Sequence, residues 1–412
     1  MKHVLRALRH RNYRLYFMGQ GVSLIGTWMQ TLAMSWLVYR LTRSTVLLGT
    51  VGFVSQIPAL VLTPLAGVLA DRGDRLRKLI VIQALAMLQA FILAFLVLSG
   101  RIEVWHILLL SAFLGCITAF DIPTRQSFVV EMIERREDLS NAIALNSSLV
   151  NGARLLGPSI AGVLIAAVGE GVCFLLNGLS YLAVLAALLA MRMRPGERAS
   201  RRSRILGEVK EGFIYAFGFS PIRSLLSLLA LMSLTAISYQ VLMPVFAGEL
   251  LHGGPNTLGF LMGFSGVGAL AGTVYLASRR SVRGLGRVIV AAALIFGFGV
   301  IAFSFSRQLW VSISLMVFIG FGMMVQMAAC NTILQTIVDD DKRGRVMSLF
   351  TLAFMGTTPF GALFAGWLAS KIGAPHTVLA AGICAVLGSL LFAGKLDALR
   401  EGVRPIYEAK GI

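Results

Sequence analysis

The sequence predicts an all-α integral membrane protein: twelve transmembrane helices in two pseudo-symmetric six-helix bundles. Three observations lead there. Hydrophobic residues make up 57% of the 412 residues and charged residues only 14%, with a mean hydropathy of +0.80. That composition excludes an ordinary soluble domain. Apolar runs of about 20 residues recur along the chain, each long enough to cross a hydrocarbon core of ~30 Å. The basic residues concentrate in every second connection, the pattern that orients membrane helices.

The runs lie near 15–39, 45–70, 79–99, 105–130, 142–168, 172–191, 222–247, 257–277, 288–306, 310–336, 346–370 and 376–394. Lys2, Arg6, Arg9, Arg11 and Arg14 precede the first. This opening is too basic, and too long ahead of its apolar run, to read as a cleaved signal peptide. Arg72, Arg75, Arg77 and Lys78 follow the second run, and Arg192 to Lys210 supply the most basic connection, between the sixth and seventh. Arg279, Arg280, Arg283 and Arg287 follow the eighth, Lys342, Arg343 and Arg345 the tenth, and Lys395, Arg400, Arg404 and Lys410 close the chain. The intervening connections hold little beyond Arg40, Arg43, Arg101, Arg307 and Lys371. Both termini are therefore expected in the cytoplasm. The net charge of +18 reads as topology and contact with anionic lipid, not nucleic-acid binding.

Four segments follow: a first bundle over 1–191, a cytoplasmic linker over 192–221, a second bundle over 222–395 and a cytoplasmic tail over 396–412. Part of the linker, around 205–217, reads as an amphipathic helix. The halves echo each other. Leu48-Gly49 and Gly52-Phe53 open the second run, and Leu258-Gly259 and Gly263-Phe264 open the eighth. Weak internal symmetry of this kind is a mark of secondary transporters. Prolines at 58, 64, 123, 244 and 359 predict helix kinks.

Other classes find no support. Cys116, Cys173, Cys330 and Cys384 all fall in predicted spans, which speaks against a disulfide framework or zinc site. The five histidines, at 3, 10, 106, 252 and 376, have no metal-ligand spacing. The Gly-Lys pair at Gly394-Lys395 is followed by leucine, so no phosphate-binding loop is present. The Asn146-Ser147-Ser148 sequon lies inside a span and is a chance match. No enzyme activity, cofactor or metal is expected.

Charges inside spans are expensive and are functional candidates by default. The clear ones are Asp121, Arg125 and Arg154. Asp121 and Arg125 stand four residues apart, on one helix face. By its own position Asp121 is either a proton carrier or a structural partner of Arg125. Arg154 stays protonated, and no carboxylate is expected at its depth. It either binds an anionic or polar substrate, with Asn146 and Asn151 nearby, or is tied to backbone carbonyls. Gln20, Gln30, Tyr239, Gln240, Gln326 and Asn331 are further candidates for lining a substrate path. Gly157, Pro158 and Gly162 mark a helix that bends, or one that is merely tightly packed.

The connection after the second run carries Gly67, Asp71, Arg72 and Arg75 in a pattern that resembles the signature loop of the major facilitator superfamily, with Asp74 where glycine is usual. The resemblance implies that fold. It also implies a gating charge cluster of Asp71, Arg72, Arg75, Asp121 and Arg125 that holds one side closed. Gly152 to Gly162 is similar to the Gly-Pro motif of antiporters in the superfamily, with one residue inserted. The segments Arg11–Gln20, Gly26–Gln30, Trp36–Thr42, Pro123–Gln126, Asn141–Asn146 and Arg343–Leu349 resemble the bacterial exporter branch that includes the enterobactin exporter and macrolide efflux proteins.

The resemblance implies a monomeric multi-pass transporter of the bacterial inner membrane. It would export a small amphiphilic molecule, siderophore-like or drug-like, by alternating access. Protons are the expected coupling ion and Asp121 their candidate carrier. Two other readings stay open: a transporter of lysophospholipid, and a membrane receptor or scaffold that moves no solute.

Overall fold

The computed structural model describes residues 5–70, 74–192, 213–279, 281–339 and 342–410. It is all-α, as expected, with no strand among the described residues. A hydrocarbon core holds no water to satisfy backbone groups, so a spanning segment must close its hydrogen bonds within itself. Helices α1 (Arg11–Thr42), α2 (Thr45–Ala70), α3 (Arg75–Leu98), α4 (Val104–Glu131), α5 (Leu139–Val168) and α6 (Glu170–Leu189) form the first half. The second half holds α7 (Ser220–Leu250), α8 (Pro255–Ala277), α9 (Leu285–Phe305), α10 (Leu309–Ile337), α11 (Arg343–Ile372) and α12 (Ala374–Ala393). A last helix, α13 (Leu396–Ala409), is strongly amphipathic.

Among the described residues, the eleven helices α2 to α12 are long and apolar enough to cross a membrane. At 32 residues α1 has the length, but Arg11, Arg14, Gln20 and Gln30 make it more polar. It occupies the place of the first expected span.

Local chemistry sets the helix ends. The Asp74 carboxylate accepts from the Arg77 backbone N–H at 3.2 Å and caps α3. Glu103 and His106 form a reciprocal capping box at the start of α4. A single residue, Gly169 at φ 83°, separates α5 from α6, and Gly373 at φ 84° separates α11 from α12. Only glycine adopts this backbone without strain, and the two turns hold equivalent places in the halves. Helices α4 and α5 continue through Pro123 and Pro158. Single π-helical turns lie at Phe246–Leu250, just after Pro244, and at Leu352–Gly356, just before Pro359. At the second turn the Phe354 carbonyl accepts from Thr358 Oγ1 at 2.9 Å and from the Ser233 hydroxyl.

The chain forms two compact units. The first comprises 1–43, 51–201 and 252–263; the second comprises 44–50, 202–251 and 264–412. Each unit thus takes the first turns of one helix from the other half of the sequence. The linker expected over 192–221, with its amphipathic helix, lies largely outside the described residues; 213–218 are helical.

In the first unit α1 packs along α5 and α6, and α3 along α6 and α4. Ile82, Ala86, Ala90, Ile117 and Tyr181 fill the α3–α4–α6 seam. A chain of buried amides crosses it: Asn177 donates to Gln30 at 2.7 Å, Gln30 to Gln89 at 3.0 Å, and Gln89 to the Leu110 carbonyl at 3.3 Å. At the end of this bundle, Arg40 makes a two-pronged pair with buried Glu170, at 2.7 and 3.2 Å. The start of α8 lies close on α5, where a Cβ added at Gly162 would stand 3.0 Å from the Gly259 Cα.

In the second unit α9 packs along α10 and α12, and α7 along α11 and α12. Phe246 stacks on Phe303, with ring centroids 4.6 Å apart, and Tyr239 tilts against Phe296 at 6.1 Å. The start of α2 meets α11 through a second glycine pair. A Cβ at Gly49 would stand 2.5 Å from the Ala362 carbonyl oxygen and 3.0 Å from the Gly366 Cα. Thr45 Oγ1 donates to the Gly366 carbonyl at 3.0 Å beside it. Leu189, Leu391 and Trp310 stand at least 70% exposed, as residues facing lipid tails do.

Candidate functional site

The site is built on α4 in the first unit. Asp121 is buried, at 7% exposure, seventeen residues after the start of α4 and ten before Glu131 at its end. One carboxylate oxygen accepts from Gln83 Nε2 of α3 at 2.8 Å, and the other pairs with the Arg125 guanidinium one turn on. Helical spacing places the two charges on one face, and the α3–α4 seam supplies the amide. From α1, the buried Tyr16 hydroxyl lies beside Arg125 and has no hydrogen bond of ordinary geometry among the described residues. A pair in such a site is weakly screened, and separating it leaves a charge stranded.

The expected gating set divides. Asp71 and Arg72 lie outside the described residues. Arg75 faces the Glu131 carboxylate at the end of α4. Asp121 stands ten residues before Glu131, about 15 Å away along the helix. Sequence reading grouped Arg75 with Asp121 and did not single out Glu131. The signal was available in the acidic end of the fourth span, opposite the basic start of the third.

A second cluster ties the start of the chain to the turn between α4 and α5. Asp138 pairs with Arg6 at 3.2 Å and with His10 at 3.0 Å, and Asn141 Oδ1 accepts from the Ala7 N–H at 3.0 Å. In the sequence Arg6 appeared only as a topology signal and His10 only among the scattered histidines. Glu170, the buried partner of Arg40, was also missed.

Arg154 is half-buried on α5, with its guanidinium 5.4 Å from the centroid of the Trp28 ring. Among the described residues it makes no ion pair or side-chain hydrogen bond. Pro158 has no N–H to offer the Arg154 carbonyl four residues earlier, so that acceptor is also left without its helical partner. Gly157 is buried against α1, where an added Cβ would stand 2.5 Å from the Trp28 Cβ. Asn151 donates to the Ser147 carbonyl at 2.9 Å, and Asn146 is half-buried.

The remaining candidates separate by burial. Gln20, Gln30, Tyr239 and Gln326 are buried. Gln30 belongs to the amide chain, and Gln326 Nε2 points to Cys330 Sγ at 3.4 Å. Gln240 and Asn331 are half-buried. Gln240 reaches the Tyr239 hydroxyl at 3.4 Å, and Asn331 accepts from Gln335 at 3.0 Å. No cluster of three or more metal-ligating side chains occurs among the described residues.

Comparison with known proteins points one way. The profile of the family described as transmembrane secretion effectors matches residues 3–402. The chain is similar to the staphyloferrin A transporter of Staphylococcus aureus, with 23% identity over 92% of this chain and 95% of that one. It is 27% identical to the multidrug efflux pump Tap of Mycobacterium tuberculosis, over 93% of this chain and 91% of that one. It is 22% identical to macrolide efflux protein A of Streptococcus pyogenes, over 91% and 94%. Among solved structures, a bacterial homologue of the human lysosomal transporter Spinster, inward-facing and occupied, superposes with a TM-score of 0.72. That match covers 93% of this chain and 96% of the other at 13% identity, so it speaks for the fold alone.

Proposed function

The chain belongs to the transmembrane secretion effector family of major facilitator transporters, and from that premise we propose that it exports a small amphiphilic molecule, siderophore-like or drug-like, by alternating access in exchange for protons. The observation that carries the proton step is the buried Asp121–Arg125 pair with its Gln83 donor. Protonation of Asp121 removes the negative partner. Arg125 keeps its charge and must find another acceptor, so proton uptake and a change in local packing are linked. Arg75 and Glu131, at the end of α4 about 15 Å from this carrier, belong to the gate, and Asp71 and Arg72 are its other members by the signature pattern.

Arg154, with Asn146 and Asn151 on neighbouring turns, is the substrate anchor in this reading. A guanidinium beside an aromatic face, with no ion pair among the described residues, favours an anionic or neutral amphiphile over a lipophilic cation. Gln240 and Asn331, half-buried polar positions of the second unit, are further candidate substrate contacts. Gly157, Pro158 and Gly162 let α5 bend. The protein works as a monomer in the bacterial inner membrane, with both termini cytoplasmic. The names of the relatives support transport of a siderophore or of drugs.

Uptake into inverted membrane vesicles carrying the protein tests the proposal. An imposed proton gradient is applied with either an anionic catechol siderophore or a cationic dye. Gradient-driven siderophore uptake, lost in Asp121→Asn and in Arg154→Ala, is the expected result. Uptake that ignores the gradient refutes proton exchange. Dye uptake indifferent to Arg154 refutes the anion preference and makes that arginine structural.

A further inference from the structure

A groove of about 540 Å³ lies between α3 and α4 in the first unit, within the roughly 300–1,000 Å³ common for ligand sites. The surface facing it is apolar. Val81 and Leu85 of α3 and Phe120 of α4 form its sides, and Ile82 and Ile117 its floor. Val81 and Leu85 are also among the exposed large apolar residues of α3, with Leu88 and Phe95 farther along, so the groove opens on the face that meets lipid.

One end is different. Arg77 and Lys78, in the first turn of α3, line the groove. Because the facing surface is apolar, they contribute their aliphatic stems, and the exposed Arg77 head stands at the rim. The Arg77 side chain is 86% exposed and pairs with Asp74 at 3.2 Å. An exposed pair of this kind is readily exchanged for another anion. From Phe113 to Thr124 the lining of α4 spans twelve residues, eleven rises or about 16 Å of helix. That is close to the ~15 Å of acyl layer in one leaflet.

We propose that this groove is a binding site for an anionic diacyl phospholipid. One acyl chain lies along Val81, Leu85 and Phe120, and the headgroup phosphate meets Arg77 and Lys78. Apolar walls over one leaflet's depth, with positive charge only at the interfacial end, complement that molecule. A zwitterionic lipid offers the same chain without the net charge. The site is separate from the transported substrate. It lies across the Ile82–Ile117 seam from Gln83 and Asp121, so the bound chain supports the packing that holds Gln83 on Asp121.

Intact-complex mass spectrometry of the full chain in neutral detergent tests this with dioleoyl phosphatidylglycerol and dioleoyl phosphatidylcholine. The expected result is one phosphatidylglycerol retained per chain, with a preference of about tenfold over phosphatidylcholine. Arg77→Ala/Lys78→Ala, at the basic end, removes the preference, and Cys116→Trp, which fills the groove, removes retention of both lipids. Should that variant aggregate, Leu85→Trp fills the groove from α3. Equal retention of the two lipids by the unaltered protein overturns the proposal. So does a preference that survives both the rim and the groove variants. Displacement by glycerol 3-phosphate, which has the headgroup charge but no chains, overturns the groove's part in it.

Discussion

Replacing Asp121 by asparagine keeps the shape of the side chain and an oxygen for Gln83 to donate to. It removes the charge that Arg125 pairs with. Breaking a fully buried ion pair from one side costs about 3–5 kcal/mol, and a surface pair contributes about 0–1 kcal/mol. Here the Asp121 side chain is 10% exposed and that of Arg125 22%, so the single substitution should cost about 2–3 kcal/mol. Arg125→Gln strands the carboxylate instead, but Gln83 still donates to it, so this variant should cost less. The double variant strands neither and should be no less stable than Asp121→Asn alone. Thermal unfolding of the three variants in one detergent gives the cycle, and the expected coupling is about 1.5–3 kcal/mol. A coupling below about 0.5 kcal/mol would mean the two charges do not sense each other, and the proton-linked release proposed for the pair would fall with it. The same variants separate binding from coupling. Asp121→Asn should keep substrate counterflow and lose accumulation driven by the proton gradient. Loss of both would move Asp121 from proton carrier to structural anchor.

Three further predictions concern other parts of the chain. Arg154→Lys keeps the charge but loses the planar face over Trp28, so transport of an anionic substrate should fall in the order wild type, lysine, alanine; equal rates in initial uptake would dismiss the anchor role. Gly49→Val drives a side chain into the Ala362 carbonyl and the Gly366 backbone. Overpacking costs about 1–3 kcal/mol or more, visible as a lower unfolding temperature and a loss of transport, and a silent variant would show the glycine crossing to be dispensable. Gln30→Leu leaves the Asn177 donor and the Gln89 acceptor without their partner. An unmatched buried polar group costs about 1–3 kcal/mol, so the variant should unfold earlier yet transport at a normal rate per folded molecule. A transport defect in well-folded Gln30→Leu would instead return Gln30 to the substrate path.

Much of the architecture was legible in one dimension. A span needs about 20 apolar residues whatever its neighbours are, so run lengths revealed the helices, α1 included despite its polar residues. The spacing of four between Asp121 and Arg125 was enough to put them on one face. The glycines at 49 and 259 were visible as an echo between halves. What they meet, Gly366 and Gly162, was not, because a missing side chain carries no mark of the backbone that approaches it.

Composition, periodicity and the signature residues thus determined that this is a helical membrane transporter, and they named the charges worth attention. Only the tertiary structure decided their partners. It gave Asp121 a glutamine from α3, turned Arg75 toward Glu131, set Arg154 over Trp28, and buried Gln30 in an amide chain. The reason is physical. Membrane insertion depends on a sum along the chain, which a sequence displays. The energy of a buried polar group depends on which atoms lie within about 3 Å of it, and in a bundle those atoms come from helices tens of residues away.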